Sequence, residues 1–139
     1  MNKFRYIMTD NEYMANSLSF DRANSIKDIL PLLYREGIVY YQDWKHFDHC
    51  ALYAFMRRRL ITFGQDEFPP MSDMDYWIET MGFKDSGTMV LCILKQYDCV
   101  LKAIGYRLLQ IVSGDDSYRL AVVKNDSYSR LKKVFSSIN

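Results

Sequence analysis

The sequence has few features of a cross-linked, metal-bound or membrane-spanning protein. Its three cysteines, Cys50, Cys92 and Cys99, are an odd number without a Cys-x-x-Cys pair, so neither a disulfide framework nor a zinc site is predicted. No apolar run approaches the roughly 20 residues that a membrane helix needs. The polar first residues also lack the basic start and apolar centre of a signal peptide. With a length of 139 residues, these absences predict one soluble domain, residues 1–139, in the reducing cytoplasm.

Chemical signatures are also missing from the sequence. The six glycines form no Gly-x-Gly-x-x-Gly or Walker pattern, and no serine or cysteine lies in a local sequence that marks a catalytic nucleophile. The sequence therefore predicts a binding protein rather than an enzyme, with no catalytic, metal-binding or cofactor-binding residues. A small enzyme whose catalytic residues come together from distant positions is an alternative.

Asp43, His46, Asp48 and His49 form the one cluster of histidines and carboxylates. On a helix the two histidines would share a face, but a His-x-x-His pair lacks the further ligands and the general-base Glu of a zinc protease. Helix capping by Asp and surface exposure of His explain the same residues. The acidic stretch 113–117 is likewise a turn, too short for a calcium loop.

The composition is that of a globular domain, with 49% hydrophobic and 25% charged residues. The first 20 residues suggest an irregular or short helical lead-in. Beyond them, the spacing of apolar residues predicts helices over 25–37, 47–63, 72–81, 88–104 and 127–138. Residues rich in β-branched and aromatic side chains predict strands over 38–42, 106–112 and 118–123. The expected fold is α+β, mainly helical, with a small antiparallel sheet formed by a C-terminal hairpin and a short strand near 38–42.

Two details of packing follow from these patterns. Neither hairpin strand is cleanly amphipathic, which predicts that both faces of the sheet are covered. The helix over 88–104 is apolar enough on all sides to be the central buried one. Alternative capping residues are left open for three helices: Ser25 or Asp28, Ser72 or Asp73, and Asn125 or Asp126. A cap at Asp28 would place Pro31 in the first turn, where it disturbs no hydrogen bond.

The distribution of charge along the chain bears on whether the partner is a nucleic acid or a protein. The net charge of +1 gives no global field that would gather nucleic acid or an anionic membrane, so neither is expected as a direct partner, although a local patch could still attract them. Residues 57–59, three arginines, are interpreted as a solvated helix end. A nucleic-acid-binding regulator, the other alternative, would place these arginines with Lys132 and Lys133 on one continuous surface.

The segment 66–85 is the most asymmetric part of the sequence, with six carboxylates, one lysine and a charge of −5. Aromatic and other hydrophobic residues are interleaved with the acids. Charge speeds the encounter with a partner and buried aromatic side chains hold the complex, so this segment predicts binding of a basic protein. The candidate partner-binding residues are Asp66, Glu67, Asp73, Asp75, Trp77 and Glu79. In the competing interpretation, Trp77 belongs to the core and the acids form a solvated helix face.

Two stretches of the sequence carry a resemblance to known proteins. They are Tyr-Gln-Asp-Trp-Lys at 41–45, and Gly-Tyr-Arg-Leu-Leu at 105–109 running through Asp-Asp-Ser-Tyr-Arg-Leu at 115–120. With its general build, the chain resembles immunity proteins of bacterial polymorphic-toxin systems, including contact-dependent growth inhibition. The resemblance implies a cytoplasmic antitoxin that binds its cognate toxin domain, commonly a nuclease with a basic surface, and blocks the toxin's active site. It assigns no individual binding residue and implies no cofactor.

Overall fold

The computed structural model of the chain describes residues 3–43, 47–82, 86–111 and 117–136. This part contains a short 3-10 turn at Arg5–Ile7, seven α-helices and three β-strands. The helices are α1 (Asp10–Ala15), α2 (Ser17–Arg22), α3 (Ile26–Arg35), α4 (His49–Thr62), α5 (Met71–Met81), α6 (Ser86–Ala103) and α7 (Asn125–Ser136). The strands are β1 (Tyr40–Asp43), β2 (Tyr106–Ile111) and β3 (Ser117–Lys124). The fold is mainly helical α+β with a small antiparallel sheet, as the sequence predicts.

The sheet has the order β1-β3-β2, and both pairings are antiparallel. β1 pairs with the first half of β3, with Tyr41 opposite Arg119. β2 pairs along β3, with Leu109 opposite Ala121. The predicted hairpin and the predicted short strand are therefore confirmed. Residues 112–116, which include most of the acidic turn, lie outside the described residues.

Both faces of this sheet are covered, because β3 sends buried residues to each side. Ala121 and Val123 face one hydrophobic cluster, and Leu120 and Val122 face the other. The first cluster, here called the α7 face, also includes Phe4, Ile7, Phe20, Ile29, Leu33, Leu109, Leu131 and Phe135. The second, here called the α4 face, also includes Leu52, Tyr53, Phe55, Met56, Leu60, Val90, Ile93, Tyr97, Leu101 and Leu108. The prediction of a sheet covered on both sides is confirmed.

The N-terminal residues contribute more to the core than a short lead-in would. Phe4, Ile7 and Phe20 are almost completely buried on the α7 face. A capping box starts α1: the Thr9 hydroxyl accepts a hydrogen bond from the amide of Glu12, and the Glu12 carboxylate accepts one from the amide of Thr9. This local motif fixes the chain direction between the 3-10 turn and α1.

Ser25 caps the start of α3, since its hydroxyl accepts a hydrogen bond from the amide of Asp28. Pro31 therefore lies inside the helix and not in its first turn, where its missing N–H removes one backbone hydrogen bond. Gly37 ends the helix with a φ of 71°, a left-handed conformation that glycine adopts without strain.

The last helix begins earlier than predicted. β3 continues directly into α7, and the amide of Asn125 donates a hydrogen bond to the carbonyl oxygen of Gly105 at 3.0 Å. Asn125 is thus the first helical residue, and the prediction that Asn125 or Asp126 precedes the helix as its cap was wrong. The strand leaves no room for a separate capping turn.

The prediction that α6 is the central buried helix was also wrong. One side of α6 packs against the α4 face, whereas Leu91 is 50% exposed and Lys95 and Cys99 are also exposed. Apolar residues on the outer side made the sequence look buried all round. Neither α6 nor any other helix within the described residues is long and apolar enough to cross a bilayer.

Candidate partner-binding surface

The acidic segment starts in a loop that aromatic contacts fix to the fold. The ring centroid of Phe68 lies 5.2 Å from that of Tyr53 on α4 and 6.4 Å from that of Tyr97 on α6. The Tyr53 hydroxyl donates a hydrogen bond of 2.6 Å to the carbonyl oxygen of Pro69. Residues 65–70 are therefore held against the α4 face.

α5 follows this loop without the predicted cap. It begins at Met71, directly after Pro70, so the assignment of Ser72 or Asp73 as the residue before the helix was wrong. The ring of Pro70 fixes φ at −59°, which orients the chain for helix entry without a side-chain hydrogen bond. Gly82 ends α5 with a φ of 58°, as predicted.

Negative charge dominates the surface of this segment. Asp66, Glu67 and Glu79 are exposed. Asp73 and Asp75 belong to the first turns of α5, but their side chains lie outside the described part of the structure, as do residues 83–85. From 66 to 82 the sequence contains five carboxylates and neither lysine nor arginine, a charge of −5. We call residues 66–82 the acidic surface.

Trp77, the predicted aromatic anchor, is half-buried and packs with Ile78 against the α4 face. Its ring therefore contributes to the core. Tyr76 is 72% exposed and Met81 is 52% exposed, so these two residues supply apolar area at the surface. No signal in the sequence distinguishes the two aromatic residues, because Tyr76 precedes Glu79 by three residues and Trp77 follows Asp73 by four, so each shares a side of the helix with a carboxylate.

The candidate His/Asp cluster is divided at the start of α4. Asp48 caps this helix, since its carboxylate accepts a hydrogen bond from the amide of Ala51 at 3.1 Å. His49 is the first helical residue, and His46 lies outside the described residues. Within the described ranges, no group of three or more His, Cys, Asp or Glu side chains could hold a metal ion.

One of the three arginines at 57–59 differs from the expected solvated helix end. Arg57 and Arg58 are exposed, but the side chain of Arg59 is only 3% exposed. Its guanidinium binds both carboxylate oxygens of Glu12, at 2.6 and 2.9 Å, and lies over the ring of Phe63. This ion pair joins α1 to α4 across 47 positions of sequence.

The environment of Glu12 changes its acidity. Burial alone raises the pKa of Glu12, but hydrogen bonds from Arg59 and Thr9, together with the positive charge of Arg59, hold that pKa below its ordinary value. The carboxylate form is therefore favoured in the folded protein. Glu12 and Arg59 serve as a structural connection between elements.

The arginines of α4 and the lysines of α7 do not share a helix layer. Arg57 and Arg58 extend from a helix that packs on the α4 face, whereas Lys132 and Lys133 extend from a helix that packs on the α7 face. The two groups therefore come from helices that pack on opposite faces of the sheet, which does not favour the single surface that the nucleic-acid-binding alternative predicts.

A small groove lies between α6 and the edge strand β2. Its volume is about 150 Å³, and it is lined by Leu91, Leu94, Lys95, Asp98, Leu108, Gln110, Leu120 and Tyr128. Asp98 accepts hydrogen bonds from the guanidinium of Arg107 and from the amide of Leu108, all of 2.9 Å. The hydrogen bonds between Arg107 and this carboxylate raise the pKa of Arg107. The groove is smaller than the roughly 300–1,000 Å³ of ordinary ligand pockets. Its carboxylate, that of Asp98, already accepts a hydrogen bond from a backbone amide of the edge strand β2.

Comparison with protein-family models, curated protein sequences and solved structures finds no match to this chain. Its function is therefore inferred from the chemistry of its own surface.

Proposed function

We propose that this protein is a cytoplasmic immunity protein that binds a cognate bacterial toxin domain, a nuclease with a basic active-site surface, and blocks that active site. The single observation that carries this proposal is the acidic surface, where five carboxylates occur without a cation from 66 to 82. The packing of Phe68 and Trp77 holds the segment in place, while Asp66, Glu67 and Glu79 are exposed.

The charge of this surface favours a partner that itself binds nucleic acid. A nuclease presents lysine and arginine side chains to the phosphate backbone of its substrate. Carboxylates on the immunity protein would engage the same cations and cover the substrate path. Opposite charges also steer the two proteins together and raise the association rate. Because the loop and α5 are already fixed, binding would order few additional residues.

Tyr76 and Met81 complement the charges of the acidic surface. Tyrosine is enriched among residues that dominate binding energy, and methionine adapts to irregular apolar contacts. Both side chains are more than half exposed, and their burial against a partner would slow dissociation. The carboxylates and the apolar residues thus have separable roles in association and in retention.

A cytoplasmic location fits both the cysteines and the proposed target. All three cysteines are free, and Cys50 and Cys99 are exposed, a state that a reducing compartment preserves. The nucleic acid that a toxin nuclease cleaves is in the same compartment.

A protection experiment in bacteria tests the proposal. Cells would express the proposed cognate toxin domain together with the wild-type protein or an acidic-surface variant, Asp66→Asn/Glu67→Gln/Glu79→Gln. We expect the wild-type protein to restore growth and the variant to protect poorly, because encounter with the toxin slows.

The matched control removes three carboxylates from the other side of the sheet. The control variant, Asp28→Asn/Glu36→Gln/Asp126→Asn, changes residues on or beside α3 and α7 and should protect cells as the wild-type protein does. Equal protection by the acidic-surface variant and the wild type, at matched low expression, would show that the acidic surface is not the toxin-binding site.

A further inference from the structure

The side of the molecule opposite the acidic surface carries a concentration of positive charge. Residues 3–8 and 124–136 contain six cations and one carboxylate, a charge of +5. These two segments lie together, since the rings of Phe4 and Phe135 are 5.4 Å apart and the guanidinium carbon of Arg130 lies 4.3 Å from the ring centroid of Tyr6. We call these two segments the basic surface.

The cations of the basic surface are accessible. Lys3, Lys124, Arg130, Lys132 and Lys133 are all exposed. Arg5 is half-buried and pairs with Asp10 of α1 at 3.2 Å. The five exposed cations give the surface its positive charge without requiring any side chain to leave the core.

Tyrosine rings are interleaved with these cations. Tyr6 is 37% exposed beside Arg130. The half-buried Tyr128 has the guanidinium carbon of Arg107 at 3.9 Å from its ring centroid and the ammonium of Lys132 at 5.8 Å. Alternating cations and aromatic rings match alternating phosphates and bases, because cations bind the phosphates while bases stack on aromatic rings or on arginine planes.

We propose that the basic surface binds single-stranded nucleic acid. The inference is independent of the proposed toxin binding, which uses the acidic surface on the other side of the sheet. A bilayer is less well matched, because Leu131 and Phe135, apolar residues of α7, are buried in the core and α7 has no exposed apolar stripe for insertion. The overall charge of +1 conceals this site, since it averages the two oppositely charged sides.

Fluorescence anisotropy of a labelled oligouridylate, titrated with the full chain at several salt concentrations, tests the proposal. In Lys132→Gln/Lys133→Gln we expect roughly tenfold weaker binding at low salt, because two phosphate contacts are lost. The slope of log affinity against log salt should become less negative by about one for each lysine. The matched control is Arg57→Gln/Arg58→Gln, which removes two exposed cations from α4 and should bind within about twofold of the wild type.

A second pair of variants tests the aromatic contribution. Tyr6→Phe keeps the ring and should bind as the wild type does, whereas Tyr6→Leu should bind several-fold more weakly with an unchanged salt slope. Melting curves establish that each variant is folded at the temperature of the titration. The acidic-surface variant should bind the oligonucleotide at least as well as the wild type, which separates this proposal from toxin binding.

Several outcomes would overturn the proposal. The first is that the wild type does not bind the oligonucleotide at low salt. The second is that Arg57→Gln/Arg58→Gln on α4 weakens binding as much as Lys132→Gln/Lys133→Gln on α7. The third is that Tyr6→Phe and Tyr6→Leu bind with the same affinity. Equally tight binding of duplex DNA, or of phosphatidylserine vesicles, would show that the surface recognises anionic charge in general and not single strands.

Discussion

The α1–α4 junction and the acidic surface use carboxylates in opposite ways. At the junction, Glu12 is held by Arg59, whose side chain is 3% exposed, and the two form two short hydrogen bonds. On the acidic surface, Asp66 and Glu79 are exposed in a segment whose sequence contains no cation. The paired carboxylate at the junction therefore stabilises the fold, whereas the exposed carboxylates of the acidic surface are available to a partner.

The largest expected effect is the loss of the Glu12 carboxylate. Glu12→Ala leaves the Arg59 guanidinium buried without its counter-charge and should lower the free energy of unfolding by about 3–5 kcal/mol. Urea unfolding measures this change. The matched control is Asp10→Ala on the same helix, which removes a carboxylate that is 86% exposed and paired with Arg5, and which should cost less than about 1 kcal/mol. Similar losses in both variants would erase the distinction between buried and exposed charge.

Acid should weaken the junction between α1 and α4. Because the folded pKa of Glu12 lies below its ordinary value of 4.5, its stabilising contribution is present above that pH and is lost as the pH falls from 4.5 through the folded pKa. The free energy of unfolding should therefore fall less steeply with acid in Glu12→Gln than in the wild type over this range. Identical pH profiles of the two proteins would mean that protonation of Glu12 is not coupled to unfolding.

Trp77 and Tyr76 should separate packing from recognition on α5. Trp77→Ala removes a half-buried ring from the α4 face and should cost about 2 kcal/mol, less than the truncation of a fully buried ring. Tyr76→Ala should change stability by less than about 0.5 kcal/mol, because the residue is 72% exposed, but it should speed dissociation of the proposed toxin complex. Thermal melting and dissociation kinetics on both variants measure the two effects. A large stability loss in Tyr76→Ala would place this ring in the core.

The smallest expected effect is that of the acidic-surface variant on stability. Asp66, Glu67 and Glu79 are exposed, so neutralising them together should alter the free energy of unfolding by about 0.5 kcal/mol or less. Because the variant relieves repulsion among like charges, we expect its free energy of unfolding to rise slightly. A loss comparable to that of Glu12→Ala would show that these carboxylates hold the fold and would remove the contrast between the two regions.

Local patterns in the sequence were sufficient for the fold class and for the glycines that end helices, such as Gly37 and Gly82. The residues that start helices were less predictable: spacing left Ser25 and Asp28 open for α3, and the structure shows Ser25 as the cap. The start of α7 was not predictable in this way. Its first residue, Asn125, is of a type that often caps helices. The pairing of β3 with β2 determines where the strand ends and the helix begins.

Long-range pairing explains most of what the sequence did not reveal about charge. In the sequence, Arg59 is indistinguishable from the two arginines that precede it. Its contact with Glu12, 47 positions away, forms only when the chain folds. The prediction of an acidic segment needs only composition, so Asp66, Glu67 and Glu79 could be named in advance. The prominence of Tyr76 over Trp77 at the surface depends on which side of α5 packs against the α4 face, and the composition of the segment does not specify that side.

The rate of association with a purified nuclease toxin domain, the proposed partner, tests the central claim most directly. It would be measured by stopped flow across salt concentrations for the wild type, the acidic-surface variant and the control variant. We predict association about tenfold slower or more for the acidic-surface variant at low salt, converging with the wild type as salt screens the charges, and little change for the control variant. Equal association rates for the wild type and the acidic-surface variant at every salt concentration would contradict the assignment of residues 66–82 as the surface that captures the toxin.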